Sequence, residues 1–245
     1  MINLLVIYLL MCNTIYMRVY LIPSHQKKMS TTTVNQVSSP YAIYENETKI
    51  ASIPYEVLRV ASQFVSKDYS RQLLMGVHLK VENDEITVAS TDGHRLFYFK
   101  FPNNELGFKL NKNITISGSV FKSQIKNATK VLITDNLITF MNEEIFLSSV
   151  HYQQFEGTYP NIEQLIPDSF TNNFEKEFSF NCDYIGQFCN QVKKLSSNKA
   201  ITFKGNKPTT PFVITAKWNI KNPFESLEGF DPILNYLIMP ILKRD

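Results

Sequence analysis

Three successive stretches of this 245-residue chain pass through the same order of elements: strand, helix, then three strands. That repetition limits the fold more than any other feature. In the first stretch, residues 48–53 read as a strand and 54–67 as a helix opening on Pro54, a residue suited to a first turn. Val57, Leu58, Ala61, Phe64 and Val65 recur on one face of that helix, and strands are expected at 74–81, 85–90 and 95–101. The second stretch gives a strand at 113–117 and a short helix at 118–127 with Val120, Phe121, Ile125 and Ala128 inward. Strands follow at 130–134, 137–141 and 145–152. The third gives a strand at 178–181 and a helix at 183–195 with Tyr184, Ile185, Phe188, Val192 and Leu195 on its apolar side. Its strands are 200–204, 211–218 and 234–241, and 219–232 reads as a surface loop. No unit of this kind covers its own sheet, so the units should pair or stack into one α+β architecture.

The domain organisation expected from this pattern is an amino-terminal extension over 1–46, a two-unit domain over 47–168 and a one-unit domain over 169–245, with 168–175 as linker. Residues 1–23 are strongly apolar and are open to three readings: translation that begins at Met29, a signal or membrane anchor, or a structural segment. Under the exported reading the sequons at Asn46, Asn113 and Asn127 gain meaning, and the chain becomes an exported or membrane-tethered β-rich binding domain. Cys12, Cys182 and Cys189 form no disulfide framework or metal clip, and buried, reduced thiols are expected.

The net charge of +3 resides in the first 28 residues, which hold Arg18, Lys27 and Lys28 and no acid. Without those three, 22 basic residues face 22 acidic ones, so any nucleic-acid partner requires basic residues sorted onto one face. The helices offer such a sorting. Arg59 and Lys67, Lys122 and Lys126, and Lys193 and Lys194 lie away from the apolar stripes. A solvated face explains any one helix; a curved array of all three would line a concave surface suited to duplex phosphates.

Ser90-Thr91-Asp92-Gly93-His94-Arg95-Leu96 closes one strand and opens the next. Asp-Gly sets the bend, and the charged and apolar residues after it form a candidate recognition surface. Asp92 and His94 invite a catalytic reading. However, the chain holds no G-x-S-x-G elbow, no H-E-x-x-H, no paired-carboxylate spacing and no glycine-rich phosphate loop, so no catalytic residue, metal site or cofactor is assigned.

Together with Arg71–Val77, Gly157–Asn161, Leu165-Ile166-Pro167 and Tyr236–Ile241, this heptapeptide resembles the bacterial β sliding clamps, the processivity subunit of the replicative DNA polymerase. The resemblance covers a complete middle domain and the second half of the last one, as in a shortened or divergent member. It implies a DNA-clamp fold, with helices on the inner face of a ring and sheets outside. It implies no catalysis and a cytoplasmic setting at the nucleoid or a phage replication site. The implied partners are double-stranded DNA, a DNA polymerase and other proteins bearing a clamp-binding motif, a clamp loader, and further copies in a homo-oligomeric ring. Family rings contain twelve such units, so three per chain would need four chains or a partner. Under this resemblance Arg59, Lys67, Arg71, Lys122, Lys126, Lys193 and Lys194 face DNA. One wall of a partner-peptide pocket would be Leu74, Thr91, Gly93, His94, Arg95 and Leu96, with Pro160 and Leu165 beside it and His94 and Arg95 as its polar rim. Leu237, Ile238, Met239, Pro240 and Ile241 would form the opposite wall.

Overall fold

A computed structural model describes residues 49–167, 169–170, 178–205 and 210–241, all within one compact unit, Ile43–Asp245. The extension over 1–46 and most of the expected linker lie outside the described residues. In chain order the elements are β1 (Ala51–Pro54), α1 (Tyr55–Ala61), β2 (Gly76–Glu82), β3 (Glu85–Thr91), β4 (Arg95–Pro102), β5 (Lys109–Leu110), β6 (Ile114–Ser117), α2 (Ser119–Lys122), β7 (Lys130–Ile133), β8 (Leu137–Asn142), β9 (Ile145–His151), α3 (Cys182–Leu195), β10 (Thr202–Lys204), β11 (Phe212–Lys217) and β12 (Ile233–Ile238).

Two antiparallel sheets result, and the first two units build them by exchange. β1 leaves its own unit to complete a sheet of order β5-β1-β7-β8-β9, while β6 completes the sheet of β2, β3 and β4. That second sheet continues into the third unit, because β12 pairs with β4, giving the order β10-β11-β12-β4-β3-β2-β6. The first strand expected of the third unit is reduced to a single bridge, Ser179 with Ile241.

Strand parity sorts the side chains. On β4, Phe97, Phe99 and Phe101 point to the main core, as do Leu234, Tyr236 and Ile238 on β12, while Leu96, Tyr98 and Leu237 point to the other face. α1 lies over the core with Tyr55, Val57, Leu58, Val60 and Ala61 all buried, and Phe64 stacks on Phe97 at 5.3 Å. α3 is capped by Asn181, whose side chain accepts from the backbone N–H of Asp183 at 2.9 Å and of Tyr184 at 3.4 Å. Asp183 in its first turn and Lys193 and Lys194 in its last complement the helix dipole.

Three expectations are corrected. The helix expected over 118–127 ends at Lys122, where Ser123 turns extended. The Tyr55 hydroxyl donates to the Ser123 carbonyl and accepts from the Ile125 N–H at 3.1 Å, so it captures the backbone groups a longer helix would use. The 219–232 segment is a surface loop only in part: half its residues are exposed, but Phe224 is 1% exposed and sits among Phe99, Phe101, Phe108, Trp218 and Phe230, with ring centroids 5.1–6.2 Å away. Burying such a ring contributes about 2 kcal/mol, enough to pull a loop inward. Finally, Cys182 is exposed and Cys189 half-buried, so neither is the buried thiol expected.

Candidate functional site

Across the outer face of the larger sheet, register aligns Thr91, Leu96, Leu237 and Val213 in one row. Of these, only Val213 was missed by the sequence reading; it follows from the same parity once β11 and β12 are in register. Ala89, Leu96, Tyr98, Tyr159, Ile162, Val213 and Leu237 form a second apolar cluster, and Leu74, Ile166 and Phe170 pack against it.

The segment 152–166 is fastened over this face by specific contacts. Tyr159 stacks on His78 with ring centroids 4.3 Å apart and planes at 2°, and His78 Nδ1 lies 2.9 Å from Thr115 Oγ1. Lys80 reaches Glu163 at 2.8 Å. Burial, aided by Lys80, pushes the His78 imidazole down to about 4, so it is neutral at physiological pH. Burial alone pushes the Tyr98 phenol up to about 12.

The turn at one end of the row is self-bonded. Asp92 Oδ1 accepts from the N–H groups of His94 and Arg95 at 3.0 and 3.2 Å, and Thr91 Oγ1 accepts from Gly93 N–H at 3.0 Å. Gly93 has φ +92°, a conformation that strains any residue with a Cβ, and Arg71 Nη1 lies 2.7 Å from where that Cβ would stand. His94 is exposed, 6.4 Å from the ring of Tyr184.

Arg95 is not on the expected rim. It has the inward parity of Phe97, is 8% exposed, holds Asp92 at 2.9 Å, and lies over Tyr184 at 4.4 Å and Phe64 at 5.5 Å. Ile238, expected on the opposite wall, also faces the main core. Leu96 and Leu237 lie on the outer face, yet are only 2% and 3% exposed because other apolar groups of the chain cover them. Met239, Ile241 and Leu165 are exposed apolar side chains, Pro160 is exposed and Pro240 is buried. An apolar cleft of about 460 Å³ opens beside the row, between residues 69–74 and Thr158 and Pro160, and brings together Leu74, Pro160 and Arg71.

Arg71 is therefore corrected from the DNA-facing set: it lies at Gly93 in this cleft and pairs with Asp68 at 2.9 Å. Arg59 is also tied up. Its Nε meets Glu56 at 2.7 Å, its guanidinium reaches Gln191 at 3.4 Å, and its side chain is 13% exposed. Lys67, Lys122, Lys126, Lys193 and Lys194 are exposed, and none has an ion-pair partner among the described residues. Partial burial, followed by the charge of Lys67, lowers the Lys122 ammonium, which places these two cations near each other. Among the described residues no cluster of three His, Cys, Asp or Glu could hold a metal, and no helix is long and apolar enough to cross a membrane.

Residues 55–161 match the family model described as DNA polymerase III beta subunit, central domain. Over 129 residues the chain is 31% identical to the beta sliding clamp of Synechococcus elongatus, covering 50% of this chain and 34% of that protein. Over 157 residues it is 27% identical to the beta sliding clamp of Streptococcus pneumoniae, covering 62% and 39%. The chain thus matches between a third and two fifths of these relatives' length. Among solved structures, the beta subunit of DNA polymerase from Streptococcus pyogenes superposes with a TM-score of 0.57 at 14% identity, covering 89% of this chain and 68% of that one. The Thermotoga maritima beta subunit gives 0.55 at 12% identity, covering 81% and 67%. The fold is the DNA-clamp fold.

Proposed function

We propose that this chain, a partial and divergent relative of the bacterial β sliding clamps, is a DNA sliding clamp that holds a replicative polymerase on duplex DNA. The observation that carries this reading is the match of residues 55–161 to the beta-subunit central domain, on a fold whose outer sheet face carries the Leu96–Leu237 cluster with Leu74 packed against it. A processivity factor needs no bond-making residue. It needs cations loose enough to slide and an apolar slot for a partner's short peptide. Five lysines without ion-pair partners among the described residues, Lys67, Lys122, Lys126, Lys193 and Lys194, supply the first need. Leu74, Pro160, His94, Leu165, Met239 and Ile241, around the floor of Thr91, Leu96 and Leu237, supply the second.

Residues 47–168 act as a clamp domain and 169–245 as part of another. Closure around DNA takes further copies, a separate loader opens the ring, and the work is done in the cytoplasm at a replication site. Retention on DNA tests the reading. A ring stays on a closed circle and runs off a linear duplex with free ends; equal release from both excludes topological linkage.

A further inference from the structure

Beyond the apolar cleft lies a second, larger one of about 1220 Å³, and the two share Tyr69 and Gln72 as walls. The chemistry changes at that boundary. The small cleft is lined by Leu73, Leu74 and Pro160, with Arg71 across it. The large one is lined by amides, among them Asn113, Asn136 and Gln154, and by the carboxylates of Asp135 and Glu156. Among the described residues no lysine or arginine lines it, and His78 at its base is neutral. Asp135 shares its charge with Lys112 at 2.8 Å, on an exposed pair that solvent screens.

Both clefts are preformed. The far wall is tied by backbone bonds, Phe155 N–H to the Thr115 carbonyl at 3.0 Å and Tyr152 N–H to the Asn136 carbonyl at 3.0 Å. The dividing loop is held by Asp68, which accepts from Ser70 N–H at 2.9 Å, Ser70 Oγ at 2.7 Å and Arg71 Nε at 2.9 Å. On that loop Tyr69 stands 82% exposed. A large ring left in solvent on a fixed loop, between an apolar seat and an acidic one, has the character of an interface anchor.

We propose that the two clefts form one seat for an extended peptide, with apolar anchors against Leu74 and Pro160 and a lysine- or arginine-bearing flank that crosses Tyr69 to reach Asp135 and Glu156. The inference rests on the peptide-tethering reading above and adds the chemistry of the partner's flank. A nucleic-acid strand is the wrong occupant, since its phosphates would meet the two carboxylates. A basic flank gains the carboxylates, the amide acceptors and the face of Tyr69 together.

The test uses the full chain and three fluorescein-labelled peptides read by anisotropy: a Leu/Phe-rich anchor alone, and the same anchor with a Lys-Arg pair added at either end. One extended peptide should bind about fivefold to tenfold tighter than the anchor, the scale of two exposed ion pairs and a cation on an aromatic face. The Asp135→Asn/Glu156→Gln double variant should cut that gain and leave anchor binding unchanged, whereas Tyr69→Ala, at the wall shared by both clefts, should cut the gain and weaken the anchor as well. If neither extension improves on the anchor, or the gain survives loss of both carboxylates, the flank assignment is overturned while the anchor site stands. If the anchor itself does not bind, the tethering reading falls instead.

Discussion

Four cations on or beside the larger sheet and five lysines at the helix ends have opposite circumstances. On and around the larger sheet, Arg71, Lys80, Arg95 and Lys100 each meet a carboxylate within 2.9 Å, Arg95 from the inward face. At the helix ends and just past them, Lys67, Lys122, Lys126, Lys193 and Lys194 meet none among the described residues. The first set is already used to hold turns and strands in place, and neutralised charge attracts phosphate weakly. The second set keeps its full field. Position on a helical wheel does not separate the two; the partner does, as Arg59 shows by sitting on a helix with its guanidinium held by Glu56.

The sharpest way to break this contrast is at its most buried member. Arg95→Ala removes one half of an ion pair whose side chains are 7% and 15% exposed, and two aromatic contacts with it. Breaking such a pair costs about 4 kcal/mol, or a fall in Tm of roughly 8–16 °C for a chain of this size. Lys126→Ala should change stability by less than about 0.5 kcal/mol. Urea unfolding of both variants decides the matter, and a loss under about 1 kcal/mol for Arg95→Ala would return that residue to a surface role.

Next in size is the pH response of the fastening at Tyr159. His78 is held down to about 4 in the folded chain, whereas an unfolded imidazole titrates near 6.5. A base with a depressed folded pKa contributes its stability in full above 6.5 and loses it as pH falls toward 4. The loss runs at about 1.4 kcal/mol per unit, or about 3.5 kcal/mol in all. His78→Phe keeps a ring for Tyr159 to stack on and has no proton to gain, so its stability should be flat where the parent declines between pH 6.5 and 5. Parallel curves would remove His78 as the source.

For DNA, the contrast gives a slope rather than a midpoint. Lys193→Ala/Lys194→Ala should lower the dependence of log K on log salt by about 2 and weaken duplex binding by roughly 2 kcal/mol at 0.1 M salt. Arg59→Ala and Arg71→Ala should leave the slope unchanged. A slope that falls for the arginines and not for the lysines would invert the assignment.

How much of this could be read from the residues depends on whether the deciding contact was local. The three-unit pattern and the Asp92-Gly93 bend are local, and apart from β1, which begins at Ala51 and not at residue 48, the strands of the first two units lie within a residue or two of their expected bounds. Arg95 was misplaced because both faces of β4 are apolar: Leu96 and Tyr98 alternate with Phe97 and Phe99, so alternation alone does not say which face is inside. The length of α2 depends on a hydroxyl 68 residues earlier in the chain, and no periodicity reports that. Phe224 and Phe230 were visible as aromatics, but a loop has no period from which burial can be inferred. Tyr69 could have been noticed as a lone aromatic in a polar run, Lys67-Asp68-Tyr69-Ser70-Arg71.

The smallest expected effect concerns the cover over Leu96 and Leu237. Those two side chains are buried beneath the outer-face cluster, and Phe170 is one of three apolar groups packed on that cluster from outside it. Under the proposed tethering, a partner peptide seated on the row would compete with Phe170 for the same apolar contact, and part of its binding energy would go into displacing that ring. Phe170→Ala removes the competitor and exposes the floor, which should raise affinity for the anchor peptide by about fivefold, or ~1 kcal/mol. Leu165→Ala, on an exposed side chain of the same segment, should not raise it. Anisotropy titrations of the two variants separate the cases. Weaker binding by Phe170→Ala would mean that the ring belongs to the wall of the site and is not its cover.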